Sequence, residues 1–387
     1  LQAARLNGEP GMFSTGIVAV DIVLRMPLFT GGRIRNEIGA ADLATLAAED
    51  RLARTWEELI FNISSAYYTI LGQKKVLESL NFSREVLTKH NRRVEDLMSV
   101  GKAARVDVLR TEVRIADLDQ KLERERNVME IQRRVLTSLI GAPLTQDPVK
   151  VQGNLNLGLQ PLDLRSAMAM AFSERGDYRA ARASLDAQAL KVRASAGALW
   201  PKVSVDGSIG MRSAAGIDDN GVAYTRRLNI TTKRSADSQA TPSTPLLREP
   251  WPNPDSTLPV GSMGIVVDYP IFDGGRIRSQ ISEHESRFAS LQQQLRKLEL
   301  QIRRDVETAL LNVSSARRRA EATRKAIEQS KESVRIEIQK FDLGKGSITD
   351  VLDAQSAMLE AETTHYRALS DYNIAIAQLD MATGQKR

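Results

Sequence analysis

The chain of 387 residues has no cysteine, few aromatic residues and no long apolar run. Without cysteine it can form neither a disulfide nor a thiolate metal site. Hydrophobic residues make up 42% and aromatic residues 5%, while 26% are charged. That composition is lean for compact cores but suits long helices with narrow apolar seams. No apolar stretch approaches the roughly 18 residues of a transmembrane helix, which excludes a helical membrane protein.

Catalytic, metal-binding and nucleic-acid-binding patterns are also missing. The net charge is +6, but the basic residues are interleaved with acidic ones along the predicted helices. The charge therefore does not indicate nucleic-acid binding. The histidines at 90, 284 and 365 are isolated from one another and from acidic clusters, so we predict that they lie on helix surfaces. No phosphate-binding loop is present. We therefore expect no enzymatic activity, no cofactor and no metal site.

One segment of the chain occurs twice. Residues 24–35 contain Pro-Leu-Phe-Thr-Gly-Gly-Arg, and residues 267–278 contain Pro-Ile-Phe-Asp-Gly-Gly-Arg, 243 positions later. In both copies an alternating apolar segment precedes the proline, and a long proline-free, charged stretch follows the glycines. Proline at a strand end removes no needed ladder donor, and glycine allows a sharp change of direction. Each copy therefore predicts a strand followed by a helix.

Three segments, residues 13–29, 201–212 and 262–271, alternate between apolar and polar residues. Each is about ten residues or longer, the length that a tilted strand needs to cross a bilayer. A sheet packed on a soluble core has the same pattern. Three strands are too few to close a barrel within one chain. The predicted apolar faces are Val18, Val20, Ile22, Leu24, Met26 and Leu28; Val203, Val205, Ile209 and Met211; and Met263, Ile265, Val267, Tyr269 and Ile271.

All thirteen prolines lie outside four predicted helices, residues 36–100, 107–141, 275–341 and 348–383. The glycines at 101 and 344 predict tight turns between the helices of each pair. The first and third helices carry apolar seams at heptad spacing. These seams are Leu52, Trp56, Leu59, Ile63, Ala66 and Ile70, and Phe288, Leu291, Leu295, Leu298, Ile302 and Val306.

The two halves keep this seam in register. The segment Asn-Ile-Ser-Ser-Ala at 62–66 matches Asn-Val-Ser-Ser-Ala 250 residues later, whereas Asp-Val-Leu at 107–109 returns after 243 residues. The difference of seven residues is one heptad, which preserves the packing of a coiled coil. The chain is therefore a duplication of one strand–long helix–turn–helix unit.

The paired Pro-x-Phe-x-Gly-Gly-Arg motifs and residues 341–355, Phe-Asp-Leu-Gly-Lys-Gly-Ser-Ile-Thr-Asp-Val-Leu-Asp-Ala-Gln, resemble those of TolC-type outer-membrane factors. The resemblance covers essentially the whole chain. It implies an α+β membrane protein whose duplicated units form a homotrimeric β-barrel in outer-membrane lipid, continued by a periplasmic α-helical barrel. Such ducts conduct substrates passively for a tripartite efflux or type I secretion system, with a periplasmic adaptor protein and an inner-membrane pump.

The resemblance implies six regions. Residues 1–30 would supply barrel strand of the first repeat, and 31–141 its helical hairpin with a turn near 101–106. Residues 142–175 would form an equatorial belt, and 176–200 a helix of the second repeat. Residues 201–272 would be barrel strands with an extracellular loop at 213–260, and 273–387 the second hairpin with a turn near 344–349. The second repeat has a helix and a strand before its motif that the first lacks, so we expect these and an export signal to precede residue 1.

The resemblance also implies a pore constriction. Asp353 matches an aspartate whose threefold ring binds cations, and Asp350, Asp107, Arg110 and Phe341 would surround it. In the family a tyrosine and an arginine hold the counterpart of Asp107, but these positions are Phe341 and Gly346 here. We leave open whether Arg105, Arg110 or Lys345 pairs with Asp107 or whether each charge is simply solvated. The predicted adaptor contacts are Gly101, Lys102, Ala103, Arg105, Gly344, Lys345, Gly346 and Ser347.

A coiled-coil scaffold protein is the alternative function. It would explain the helices and their heptad seams equally well. It gives no reason, however, for alternating strands of about ten residues to end twice in the same proline and double-glycine motif.

Overall fold

The computed structural model describes residues 16–143, 149–158, 163–217, 223–226, 249–250 and 258–385. The chain divides into two compact units. The first comprises Leu1–Ala40 and Gln188–Ser286, and the second comprises Ala41–Ala187 and Arg287–Arg387. None of the described helices contains an apolar stretch that could cross a membrane.

The first unit contains an antiparallel sheet of five strands. They are β1 (Gly16–Phe29), β2 (Lys202–Ile217), β3 (Ala223–Arg226), β4 (Glu249–Pro250) and β5 (Leu258–Asp268). Strand β2 is central, because β1 pairs along one of its edges and β5 along the other. Strand β3 pairs with the end of β2 and with β4.

The register of this sheet brings the predicted apolar faces together. Ile22 of β1 lies opposite Ile209 of β2, and Val205 of β2 lies opposite Ile265 of β5. The resulting apolar face is open, since Ile22 is 72% and Met263 is 85% exposed. The alternation read from the sequence is therefore confirmed for these strands, and no described residue covers their apolar face.

The opposite face of the sheet pairs polar groups. Arg25 Nε lies 3.1 Å from the Asp206 Oδ2 atom, and the hydroxyl oxygens of Ser208 and Ser262 are 2.8 Å apart. These cross-strand contacts hold the three long strands in one register, because a slip of one residue would exchange the polar and apolar faces.

The strand ends differ from the prediction. Strand β2 continues to Ile217 rather than ending at 212, so regular structure enters the predicted loop at 213–260. Most of that loop, and residues 13–15, lie outside the described residues. Strand β5 begins at Leu258 and ends at Asp268, so Tyr269 and Ile271 lie beyond it. Pro270 explains this end, because proline cannot donate to a strand ladder.

The described residues also form six α-helices: α1 (Arg33–Ser99), α2 (Arg105–Leu139), α3 (Leu164–Glu174), α4 (Gly176–Ala196), α5 (Arg276–Asp342) and α6 (Ile348–Thr383). Helices α1 and α5 both have 67 residues. At ~1.5 Å per residue each is about 100 Å long. The predicted helices are confirmed to within a few residues, and the one-heptad shift between the halves leaves the two long helices equal in length.

Two consecutive glycines make each junction from strand to long helix. Gly31 and Gly32 have φ values of 62° and 77°, and the corresponding pair after β5 has 64° and 85°. A side chain at position 31 would also place its Cβ 2.3 Å from the carbonyl oxygen of Gly197. The backbone conformation and this close approach both explain why the repeated motif contains glycine there.

The second unit has helical cores that use only part of the predicted α1 seam. Ala66 and Ile70 are buried, at 5% and 1% exposure. Leu52 and Trp56, in contrast, are 60% and 57% exposed, so this part of the seam is not covered within the described chain and its packing stays a prediction. A heptad pattern identifies a face that can pack but does not identify the element that covers it.

A buried arginine joins three segments of the second unit. Arg175, which is 3% exposed, donates two hydrogen bonds to Asp177, at 3.0 and 2.7 Å. Its Nη1 atom also lies 3.7 Å from Asp305 of α5 and donates to the carbonyl oxygen of Ala382, at 3.3 Å. Arg54 of α1 also donates to the last turn of α6, at 3.1 Å to the carbonyl oxygen of Met381.

We expect Arg175→Met to lower the free energy of unfolding by about 3 kcal/mol, because it leaves buried acceptors without their cation. The control is Arg304→Met, which removes an exposed arginine 3.2 Å from the same Asp305. That change should cost less than about 1 kcal/mol. Thermal or urea unfolding followed by circular dichroism measures both, and equal losses would contradict the role of Arg175.

Candidate functional site at the helix turns

The two turns between paired helices are built by the same backbone hydrogen bonds. The Lys102 amide donates to the carbonyl oxygen of Leu97 at 2.8 Å, and the Gly101 amide donates to that of Met98 at 3.0 Å. Both bonds recur 243 residues later, around Gly344, at 2.8 and 3.0 Å. The two glycines have φ values of 73° and 69°. This is the Schellman arrangement, so each helix stops through its backbone.

An aspartate caps the helix that follows each turn. Asp107 Oδ2 accepts from the amide of Ala104 at 3.2 Å, and Asp350 Oδ2 accepts from the amide of Ser347 at 3.1 Å. In the second turn Ser347 Oγ also accepts from the Asp350 amide at 3.2 Å, whereas Ala104 has no side-chain acceptor. Hydrogen bonds to the backbone amide and to the hydroxyl of Ser347 lower the pKa of Asp350. Burial opposes them, and the charge of Lys340 lowers this pKa further.

Of the cations considered for Asp107, the structure brings Arg110 near. The Arg110 Nη1 atom lies 3.8 Å from Asp107 Oδ1 and donates to Thr349 Oγ1 at 3.2 Å. Arg110 thus links the start of α2 to the start of α6. In the part of the chain that the structure describes, Arg105 and Lys345 form no ion pair.

Asp353 has a partner that the sequence analysis missed. Arg114 Nη2 lies 3.3 Å from Asp353 Oδ1, and the two side chains are 43% and 64% exposed. Arg114 follows Arg110 by one helical turn on α2, so their spacing of four residues was the signal available in the sequence. The pair neutralises part of the charge proposed for the constriction.

Phe341 packs on a histidine rather than contacting Asp107. Its ring centroid lies 5.3 Å from that of His90, which is only 9% exposed. The prediction that His90 lies on the surface is therefore wrong, because α5 covers this face of α1. Beside it, Arg93 Nη2 lies 2.9 Å from Asp342 Oδ1. Burial and the charge of Arg93 lower the pKa of His90, and Asp342 opposes them.

The predicted contact residues at the turns are mostly accessible. Lys102, Arg105, Lys345 and Ser347 are exposed, whereas Ala103 is partly buried against the core between α1 and α2.

There is little space for a side chain at Gly346. A Cβ atom on Gly346 would lie 3.0 Å from the Cβ of Lys340 and 3.2 Å from the amide nitrogen of Phe341. Any larger side chain at this position would therefore need Lys340 and Phe341 to move by a few tenths of an ångström.

The chemistry of this site is electrostatic. Its described side chains offer cations and carboxylates on exposed turns, with ion pairs between helices. Across the described residues no group of three or more histidine, aspartate or glutamate side chains could hold a metal ion. The arrangement fits contact with other proteins or with ions in passage.

Comparison with known proteins agrees with this geometry. A family model described as outer membrane efflux protein matches residues 2–142 and 168–385. The chain is 20% identical over 373 residues to the outer membrane efflux protein BepC of Brucella suis biovar 1, covering 96% of this chain and 73% of BepC. It is 21% identical over 334 residues to the outer membrane protein TolC of Escherichia coli, covering 84% of this chain and 60% of that protein.

A solved structure has the same fold. The outer membrane protein VceC of Vibrio cholerae aligns with a TM-score of 0.72 at 16% identity, over 96% of this chain and 86% of VceC. At that identity the likeness concerns the fold alone.

The two helix caps differ in that Ser347 offers a hydroxyl and Ala104 does not, so exchanging these residues gives two opposite tests. Ala104 has φ −91° and ψ 151°, nearly the values of Ser347, −95° and 157°. We expect Ser347→Ala to lower the free energy of unfolding by about 1 kcal/mol and Ala104→Ser to raise it by a similar amount. Urea unfolding measures both, and changes of the same sign would contradict the capping argument.

His90 should make the protein less stable in mild acid. The unfolded chain binds a proton on this histidine near pH 6.5, before the folded chain does, because burial lowers the pKa of the folded ring. The free energy of unfolding therefore has its full His90 contribution above about pH 6.5 and loses it as the pH falls below that value. Between pH 7.5 and 5.5 the free energy of unfolding should fall less in His90→Phe than in the wild type. An equal fall in both proteins would contradict this role of His90.

Proposed function

Because the chain belongs to the outer membrane efflux protein family, we propose that it is the outer-membrane exit duct of a tripartite efflux or type I secretion system. It would conduct substrates passively from a periplasmic adaptor protein and an inner-membrane pump to the exterior. The alternating sheet supports this proposal most directly. Its central and flanking strands have one polar face and one apolar face, and the apolar face is exposed, as contact with lipid would require.

The same open surfaces support assembly into a homotrimer. Three copies of the sheet, each with strands that other copies can extend, would close a β-barrel in the outer membrane. The long helices also expose large apolar side chains, among them Trp56 at 57%, Leu300 at 60% and Leu311 at 68%. Neighbouring copies would cover these side chains in a periplasmic α-helical barrel.

The turns would form the adaptor-binding end of that barrel. Lys102, Arg105 and Lys345 present positive charge on turns that backbone hydrogen bonds already hold in shape. A rigid turn loses little conformational entropy on binding, so exposed side chains here suit a docking surface. We propose that this surface contacts acidic or polar groups of the adaptor.

We place the pore constriction at Asp353. In a trimer three such carboxylates would lie around one axis and favour cations over anions. The ion pair with Arg114, at 3.3 Å, modifies this proposal. Arg114 would oppose the selectivity that Asp353 creates, and the balance of the two would set the field at the constriction.

Single-channel recording in planar bilayers tests this proposal. We expect Asp353→Asn to reduce the cation-to-anion permeability ratio, and Arg114→Gln to increase it. Each change should be about fivefold, because one charge a few ångströms away contributes ~1 kcal/mol in water. The control is Arg126→Gln, which removes an exposed arginine of α2 that pairs with Glu123 and not with α6.

The possible outcomes separate the parts of the proposal. If the protein conducts but neither substitution changes its permeability ratio, the duct is supported and the constriction does not lie at Asp353. A protein that forms soluble monomers or filaments without conductance would contradict the duct and favour the scaffold alternative.

A further inference from the structure

Two clefts in the second unit meet between its helices. The first, of about 330 Å³, lies between α1, α2 and α6 and has an apolar floor that includes Val76, Leu80 and Leu118. The second, of about 230 Å³, lies between α1, α5 and α6 and is lined by Phe82, Val86, Val334 and Met358. They share Ser83, Gln355 and Leu359. The first cleft alone reaches the lower end of the usual range for a small-molecule pocket, and the second, which is smaller than that range, extends it.

A buried, unpartnered amide lies where the clefts meet. Gln355 is 7% exposed, and neither its Nε2 nor its Oε1 atom has a hydrogen-bond partner among the described residues. Because a buried polar group without a partner is costly, native structures seldom keep one. A carboxamide both donates and accepts, so the best complement for it is another amide.

The charges around the first cleft do not select an ion. Three of its cations are already paired: Lys121 with Asp117 at 2.8 Å, Arg367 with Glu125 at 3.0 Å, and Arg114 with Asp353 at 3.3 Å. The other two charged side chains of the lining, Arg124 and Glu360, have opposite signs. A charged ligand would lose its hydration here without gaining a counter-charge, so an uncharged ligand is favoured.

We propose that this pair of clefts binds an uncharged amphipathic molecule that carries a carboxamide. The amide of the ligand pairs with the Gln355 amide, and its apolar part occupies the cleft between Phe82, Val86 and Met358. Such a ligand ties α1 to α5 and α6, two residues along α6 from Asp353. It would therefore act on the helices that carry the proposed constriction, an inference that rests on the proposed function.

The test uses two probes of one shape, 2-naphthamide and 2-naphthoate, and ligand-observed NMR on the purified assembled protein. We expect 2-naphthamide to bind, and 2-naphthoate, which cannot donate to the Gln355 oxygen, to bind about tenfold more weakly. Gln355→Leu should weaken binding of 2-naphthamide about tenfold and remove the difference between the probes. The measurement requires no transport, so it stands apart from conductance.

A second variant keeps the test decisive if Gln355→Leu alters folding. Val86→Phe fills the apolar cleft from its partly buried edge and should abolish binding. Val113→Phe, at an α2 position that is 67% exposed and lines neither cleft, should leave the affinity unchanged. Absence of binding to the wild type would overturn the proposal, since water or a neighbouring copy would then satisfy Gln355. Equal affinities for both probes in wild type and Gln355→Leu would overturn it as well.

Discussion

A helix of 67 residues must be stabilised by burial along its length, because helix propensity alone is worth little per residue. In α5 that burial comes from small and branched side chains, including Val306, Ala309 and Val313, each at 0% exposure against α6 and α3. The other side of α5 exposes Leu300 and Leu311, at 60% and 68%. One stripe is therefore satisfied within the chain and a second remains open, which is why the proposed function depends on further copies.

Local chain chemistry made most of the fold predictable. Proline ends regular structure and glycine permits left-handed turns, so their positions marked the helix boundaries to within a few residues. The extension of β2 to Ile217 and the exposure of Leu52 and Trp56 were not predictable. Both depend on which neighbouring element pairs or packs there, and periodicity carries no information on that. The burial of Arg175 depends in the same way on carboxylates from distant parts of the chain.

For the candidate site, the sequence located the turns but not their contacts. Asp107 and Asp350 were singled out, and their position three residues into the helix explains the capping that is observed. The spacing of Arg110 and Arg114 indicated a shared helix face, but not that Arg114 pairs with Asp353. The burial of His90 beside Phe341 had no signal in the sequence. Such contacts depend on the rotation and axial offset of two packed helices, which heptad spacing within each helix leaves undetermined.

The two turns have the same backbone bonds but different side chains, and this has a consequence for how the protein can diverge. Since main-chain atoms and a left-handed glycine define each reversal, substitutions at Lys102 and Lys345 disturb no contact on which folding depends. These two positions can therefore accept substitutions in evolution while the turns keep their conformation. A protein built in this way can change what its turns bind by a few surface substitutions, without passing through an unstable intermediate sequence.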